Sequence, residues 1–145
     1  MKIKAQGIFI KGNFPSFKNS KRMIIKKGQK PRLIHSKTVM KYKKISKIEW
    51  LLKKKDFLSL VREEEKPFKI GIHFIRGTKH KQDWVNLVQG VQDLMVEYEY
   101  IKDDNSDEII PVPFKLKGKY YTYNKDNPGI WIVPITKKLI KNLKK

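Results

Sequence analysis

Residues 68–98 read FKIGIHFIRGTKHKQDWVNLVQGVQDLMVEY. Two periodicities meet in this stretch. In FKIGIHFIR (68–76), Phe68, Ile70, Ile72 and Phe74 fall on alternate positions, as on one side of a β-strand. From Asp83 to about Tyr98 the period lengthens. At 100° per residue Trp84, Leu87, Val88, Val91, Met95 and Tyr98 share one stripe, while Asn86, Gln89, Asp93 and Glu97 fall opposite. A strand followed directly by an amphipathic helix, with Asp83 at the helix mouth as N-cap, is the unit around which the rest arranges itself.

Working outward, residues 3–11 (IKAQGIFIK) predict a first strand. Residues 12–35 form a basic loop broken by Gly12, Pro15, Gly28 and Pro31, with room for a short hairpin through MIIKKGQKPRLI. Ser36 or Thr38 can cap a helix over about 38–60, with Ile45, Ile48 and Leu52 on one face at i, i+3, i+7. EEEKP (63–67) is a connector. Beyond residue 108, EIIPVPF, KYYTY and GIWIVPI predict short strands, the last two separated by the turn signal NKDNPG. Pro111 and Pro113 make the first of these an edge or an irregular strand. The basic tail, 136–145, reads as a short helix or a frayed end. The order is β-α-β-α-β-β. It predicts an α+β fold: a small mixed β-sheet with two main helices on one face, and one domain over 1–145.

Composition excludes several classes. No cysteine is present, so disulfides, zinc ribbons and thiol nucleophiles are out. No apolar run approaches the roughly 20 residues of a membrane helix. The N-terminus does not read as a signal peptide. No membrane association and a cytoplasmic location are therefore expected. Thirty-four Lys and Arg face fourteen acids, a formal charge of +20. Such a field draws polyanions, nucleic acid first among them.

Against that background the acids are unevenly placed. Asp83–Glu108 holds eight of the fourteen carboxylates and one lysine, Lys102, for a net −7. The helix face at Asn86, Gln89, Asp93 and Glu97 carries no lysine. Asp103, Asp104, Asp107 and Glu108 follow in a loop. Clustered carboxylates repel unless something positive sits among them, either the surrounding Lys and Arg or a divalent cation. Oxygen-only donors suit Mg²⁺, or Mn²⁺ in its place. An acidic cluster would push a phosphodiester backbone away, and a metal bridging carboxylate and phosphate resolves that conflict. The pattern points to metal-dependent phosphoryl-transfer chemistry on nucleic acid.

DWVNLVQGVQDLM (83–95) followed by IKDD (101–104) resembles the RusA-type Holliday junction resolvases, which show a D-x-D-N-L helix mouth, a helical aspartate and an Asp-Asp pair. The interval from Asp83 to Asp104 fits without a gap. PSFKNSKR (15–22) is similar to that family's Pro-Ser-rich, Asn-containing loop after the first strand. The resemblance implies a small α+β homodimer that nicks opposed strands of a four-way DNA junction symmetrically, using Mg²⁺. Carried over by position, Asp83, Asp93, Asp103 and Asp104 are the catalytic acids. Asp83, Asn86, Asp103 and Asp104 are the metal donors. Two positions depart: the second mouth aspartate falls at Val85 and the catalytic lysine at Gln89.

Lys18, Lys21, Arg22, Lys79, His80 and Lys81 are the expected phosphate contacts, the last three because they immediately precede Asp83. His35, His73 and His80 share no ligand spacing, and His73 reads as structural. Phe14 and Phe17 either pin their loop or stack on a base, with pinning the first reading. Of Tyr120, Tyr121 and Tyr123, at least one should face the core. Two further functions compete with the nuclease. One is a non-catalytic protein that binds branched DNA, motivated by Val85 and Gln89. The other is a basic RNA-associated protein, against which the acidic cluster argues.

Overall fold

The stretch that alternates at 68–76 becomes the central strand of a mixed sheet. The computed structural model describes residues 6–17, 21–81 and 83–144, without the side chains of 21–24 and 32–35. Its elements are β1 (Ile8–Lys11), β2 (Lys21–Ile24), β3 (Arg32–His35), α1 (Lys37–Val61), β4 (Phe68–Arg76), α2 (Trp84–Glu97), β5 (Ile109–Pro113), β6 (Tyr121–Tyr123), β7 (Gly129–Pro134) and α3 (Lys137–Leu143). The protein is a mixed α+β structure with a five-stranded sheet and three helices. Four elements extend the expected order: the two strands of a hairpin, a third strand after α2 and a C-terminal helix. The hairpin β2–β3 sits in the basic loop, and the tail is helical as α3. The described part of the first strand begins at Ile8; residues 3–5 lie outside the described residues.

The sheet runs β1-β7-β4-β5, with β6 also on β4. β7 pairs antiparallel with both β1 and β4. That register stacks Ile10, Ile130 and Phe74 in one row and Ile8, Ile132 and Ile72 in the next. Directly paired residues point to the same side of a sheet, so both rows build one apolar face. These six side chains are 0–3% exposed. They share a core cluster with Leu87, Val88, Val91, Leu94 and Met95 of α2 and with Val39, Tyr42, Trp50, Phe57 and Val61 of α1. On the other edge of β4, β5 pairs parallel along Phe68–Ile72 and β6 parallel along Phe74–Arg76. No helix among the described residues is long and apolar enough to cross a membrane.

Two helix starts follow the expected chemistry. The Ser36 hydroxyl accepts from Val39 N–H, and the Asp83 carboxylate accepts from Val85 N–H at 3.0 Å. α2 buries its stripe largely as expected, with Gly90 and Leu94 added and Trp84 and Tyr98 only half-buried. Gly90 is where the helix meets the loop aromatics. A Cβ there would stand 2.8 Å from a Phe17 ring carbon and 3.0 Å from Phe14. Phe14 and Phe17 are themselves buried with parallel rings, in keeping with the pinning role.

α1 overturns an expectation. Ile45, Ile48 and Leu52 do not face the core; they are 65%, 67% and 68% exposed. The helix instead buries Val39, Tyr42, Ser46, Trp50, Phe57 and Val61. Apolar residues surround this helix, so its periodicity does not choose a side. The aromatics choose it, because each removes more area from water than an Ile or Leu.

Candidate nucleic-acid interface and acidic site

The chain path fixes where the acids stand. β4 and β5 are parallel neighbours, so α2 must run back between them. Asp83 therefore lies at the level of the C-terminal end of β4. The loop after α2 lies at the other end, where Phe68 N–H donates to Glu108 O at 2.9 Å. α2 has 14 residues, about 21 Å at 1.5 Å per residue. Asp93 is about two-thirds of the way along it, on the exposed side, about 15 Å beyond Asp83 along the axis.

The helix ends abruptly. Glu99 takes the left-handed conformation at φ 62°, and Tyr100 N–H donates to Met95 O at 2.7 Å. Tyr100 is buried and its hydroxyl donates to Trp50 O, locking this turn onto α1. The acidic loop then organises itself. One Asp103 oxygen accepts from Asp104 N–H at 2.8 Å and the other from the Asn105 amide at 3.0 Å, while Asn105 accepts from Asp107 N–H. The Asp104 backbone bond, followed by that from Asn105, holds the Asp103 carboxyl below the usual aspartate range.

Lysines answer part of the acid cluster. Glu97 pairs with Lys43 at 2.9 Å, Glu99 with Lys54 at 3.5 Å and Glu108 with Lys66 at 2.6 Å. Asp83, Asp103, Asp104 and Asp107 pair with no cation among the described residues. Three of these four are acids that the resemblance singles out. Asp103 and Asp104 are adjacent, and Asp83 is at the far end of α2 from both. Asn86 is half-buried in the first turn, Val85 is 56% exposed, and Gln89 is exposed a turn further on. Among the described residues no three His, Asp or Glu side chains come together to hold one ion. The oxygen donors have the chemistry for Mg²⁺, but those of one chain do not fit a shared ion.

Beside Asp83 a cleft of about 890 Å³ opens between loop 76–81, the start of α2 and residues 116–124. Lys79, His80 and Lys81 are exposed on one side of it, and Lys117 and Lys119 on the other. Of the expected phosphate contacts, these first three are brought together. Lys18 lies outside the described residues; Lys21 and Arg22 are in β2, whose side chains are not described. The floor includes Phe74, Trp84 and Leu87. Arg76 also lines the cleft and is only 6% exposed. Its guanidinium donates to Phe14 O, its Nε has no hydrogen-bond partner, and no acid pairs with it among the described residues. Burial lowers its pKa from the ordinary guanidinium value. Arginine nonetheless stays charged at neutral pH, so the cleft holds a buried cation.

The tyrosines correct a second expectation. Tyr120, Tyr121 and Tyr123 are 50%, 62% and 45% exposed, and none is buried in the core. β6 alternates: paired with Phe74 and Arg76, Tyr121 and Tyr123 share the sheet face of those two residues, and Thr122 points to the opposite face. Thr122 meets His73, whose Nε2 lies 3.0 Å from its Oγ1 while Nδ1 lies 2.8 Å from Phe114 O. A carbonyl can only accept, so Nδ1 carries the proton and Nε2 accepts from the hydroxyl. Burial, the dominant influence, holds this imidazole below its usual pKa and keeps it neutral. His73 is a structural fastener for β6. Arg76, Lys117, Lys119 and the exposed tyrosines are the cleft residues that pattern reading missed. The basic run KLKGK (115–119) was their only local signal. Compared with known protein families, curated proteins and solved structures, the chain matches none of them.

Proposed function

We propose that the chain is a Mg²⁺-dependent endonuclease acting on branched DNA as a homodimer, the activity that the resemblance to RusA-type resolvases implies. One observation carries the reading. In a chain of net +20, Asp83, Asp103 and Asp104 are left without a cation, and Asp83 adjoins a cleft rich in Lys. The cleft cations hold the phosphate backbone, and the unpaired carboxylates are available to a hard divalent ion.

Since one chain keeps Asp83 and Asp104 at opposite ends of α2, the proposed site draws on two chains. Two α2 helices packed antiparallel about a two-fold axis bring Asp83 of each chain to Asp103 and Asp104 of the other. Asn86 adds a neutral oxygen in the same turn as Asp83. Val85 and Gln89, exposed on α2, carry no charge, whereas Asp93 on their stripe brings a carboxylate to such packing. A divalent ion held by these donors supplies Lewis acidity toward the phosphodiester and activation of water. Asp93, about two-thirds of the way along the helix, serves neither end.

The test is cleavage of an end-labelled four-way junction in Mg²⁺, beside linear duplex and a chelator control. Asp83→Asn and Asp104→Asn should each abolish metal-dependent nicking while junction binding persists. Mixing the two inactive variants should restore nicking, because a mixed dimer contains one intact two-chain site. A site built within one chain gives no recovery. The second reading, a non-catalytic branched-DNA-binding protein, is favoured by Val85 and Gln89 at the departing positions. It predicts salt-dependent binding and no nicking with any divalent metal.

A further inference from the structure

The cleft beside Asp83 contains more than a phosphate-binding surface requires. Phosphate contact needs cations, and Lys79, Lys81, Lys117 and Lys119 supply them. It does not need exposed tyrosine rings. Yet Tyr121 and Tyr123, on the same sheet face as Phe74 and Arg76, are 62% and 45% exposed, and both line the cleft. Cations already sit at ring faces here: Lys79 Nζ is 5.2 Å from the Tyr123 centroid, and Lys115 Nζ is 4.9 Å from that of Tyr120. Rings and ammonium groups alternating at one sheet edge match a ligand that alternates flat π-surfaces with negative charge.

Arg76 is an independent observation pointing the same way. Arg76 is only 6% exposed, and a guanidinium that lacks an acid among the described residues and leaves Nε unpartnered is costly unless an anion completes it. It lies in the strand against which β6 pairs, with Arg76 opposite Tyr123 in the register. The anion site and the aromatic edge are thus adjacent parts of one cleft. Their relative placement is set by the sheet and by the fastening of Thr122 to His73.

We propose that this cleft binds unpaired nucleotides, with bases stacked on Tyr121 and Tyr123 and phosphates directed to Arg76 and the lysines of loop 76–81. Duplex DNA buries its base faces and cannot use the rings. Single strands, and nucleotides unstacked at a branch point, can. The inference rests on the branched-DNA reading for its biological ligand. The stacking itself requires only a single strand.

The experiment measures binding of a short labelled oligo-dT and of a blunt duplex by fluorescence anisotropy across a salt series. The parent is compared with Tyr121→Ala/Tyr123→Ala, Tyr121→Phe/Tyr123→Phe and Lys79→Ala/Lys81→Ala. The alanine pair should weaken oligo-dT binding by about fivefold to a hundredfold, leave duplex binding within about twofold, and preserve the salt slope. The phenylalanine pair should bind like the parent, since the ring is kept. The lysine pair should weaken both ligands and flatten the slope. Parent-like oligo-dT binding by the alanine pair overturns the proposal, as does an equal loss in the alanine and phenylalanine pairs. Junction nicking assayed on the same samples separates the two claims. Tyrosine-dependent oligo-dT binding without any nicking removes the endonuclease and keeps the stacking cleft. Nicking with tyrosine-indifferent binding does the reverse.

Discussion

The two long helices of this protein treat their hydrophobic residues in opposite ways. α2 carries its apolar residues on one stripe and buries that stripe against β4. α1 carries them nearly all round, buries Trp50 and Phe57 completely, and leaves Met40, Ile45, Ile48, Leu51, Leu52 and Leu58 42–68% exposed. Where one stripe exists, periodicity decides which face is buried. Where two compete, side-chain size decides, because the face with Tyr42, Trp50 and Phe57 removes more apolar area from water than the face with Ile45, Ile48 and Leu52. Regular spacing alone is therefore weak evidence of burial in a helix with apolar residues on every side.

The sharpest way to break this comparison is at Trp50. Trp50→Ala should destabilise the fold by about 3–5 kcal/mol, measured by urea denaturation, since it empties a site of zero exposure that packs on Tyr98 and Tyr100. A loss under about 1 kcal/mol would mean that the other face of α1 is the buried one.

Gly90 sharpens the α2 side. In an exposed helix interior, Gly→Ala is worth a gain of up to about 1 kcal/mol. At Gly90 the added Cβ runs into the Phe17 and Phe14 rings at 2.8–3.0 Å. Gly90→Ala should accordingly lose about 1–3 kcal/mol, an overpacking effect that outweighs propensity. A more stable variant would show that the loop aromatics are not packed on α2.

The smallest expected effect lies on the outer face of α1. Ile48→Ser and Leu52→Ser should each change monomer stability by no more than about 0.5 kcal/mol. Losses above about 2 kcal/mol at either position would reverse the assignment of faces. Asp83, as N-cap of α2, ties this comparison to function. Asp83→Asn keeps a side-chain oxygen for the Val85 N–H, so the cleavage test at this position is not confounded by loss of the cap.

Much of the scaffold was legible from local chemistry. The alternation at 68–76, a cap at Ser36 or Thr38, the cap at Asp83 and the stripe of α2 all depend on residues within a few positions of one another. The acid imbalance was legible too, because it is a matter of counting. Its internal division was not. Glu97, Glu99 and Glu108 take lysines from α1 and the connector, and only the three-dimensional packing separates them from Asp83, Asp103 and Asp104. Pattern reading also expected a core-facing tyrosine near 120–123, because an aromatic strand is usually half-buried. β6 instead pairs with the last three residues of β4, so that Tyr121 and Tyr123 line the open cleft and Thr122 meets His73 on the opposite face.

By itself the sequence determined the strand at 68–76, the start of α2 at Asp83, the strong positive field and the gathering of carboxylates between Asp83 and Glu108, since each follows from short-range spacing or from composition. Only the tertiary structure decided which side of α1 is buried, that Asp83 and Asp104 occupy opposite ends of one helix, and that Arg76, loop 76–81 and the tyrosine edge share a cleft. The reason is physical. Hydrogen bonds and periodicity act over a few residues, whereas the pairing of β5 and β6 on one edge of β4 joins segments some forty residues apart. It is that pairing, won by competition among buried surfaces, that sets where each charge stands.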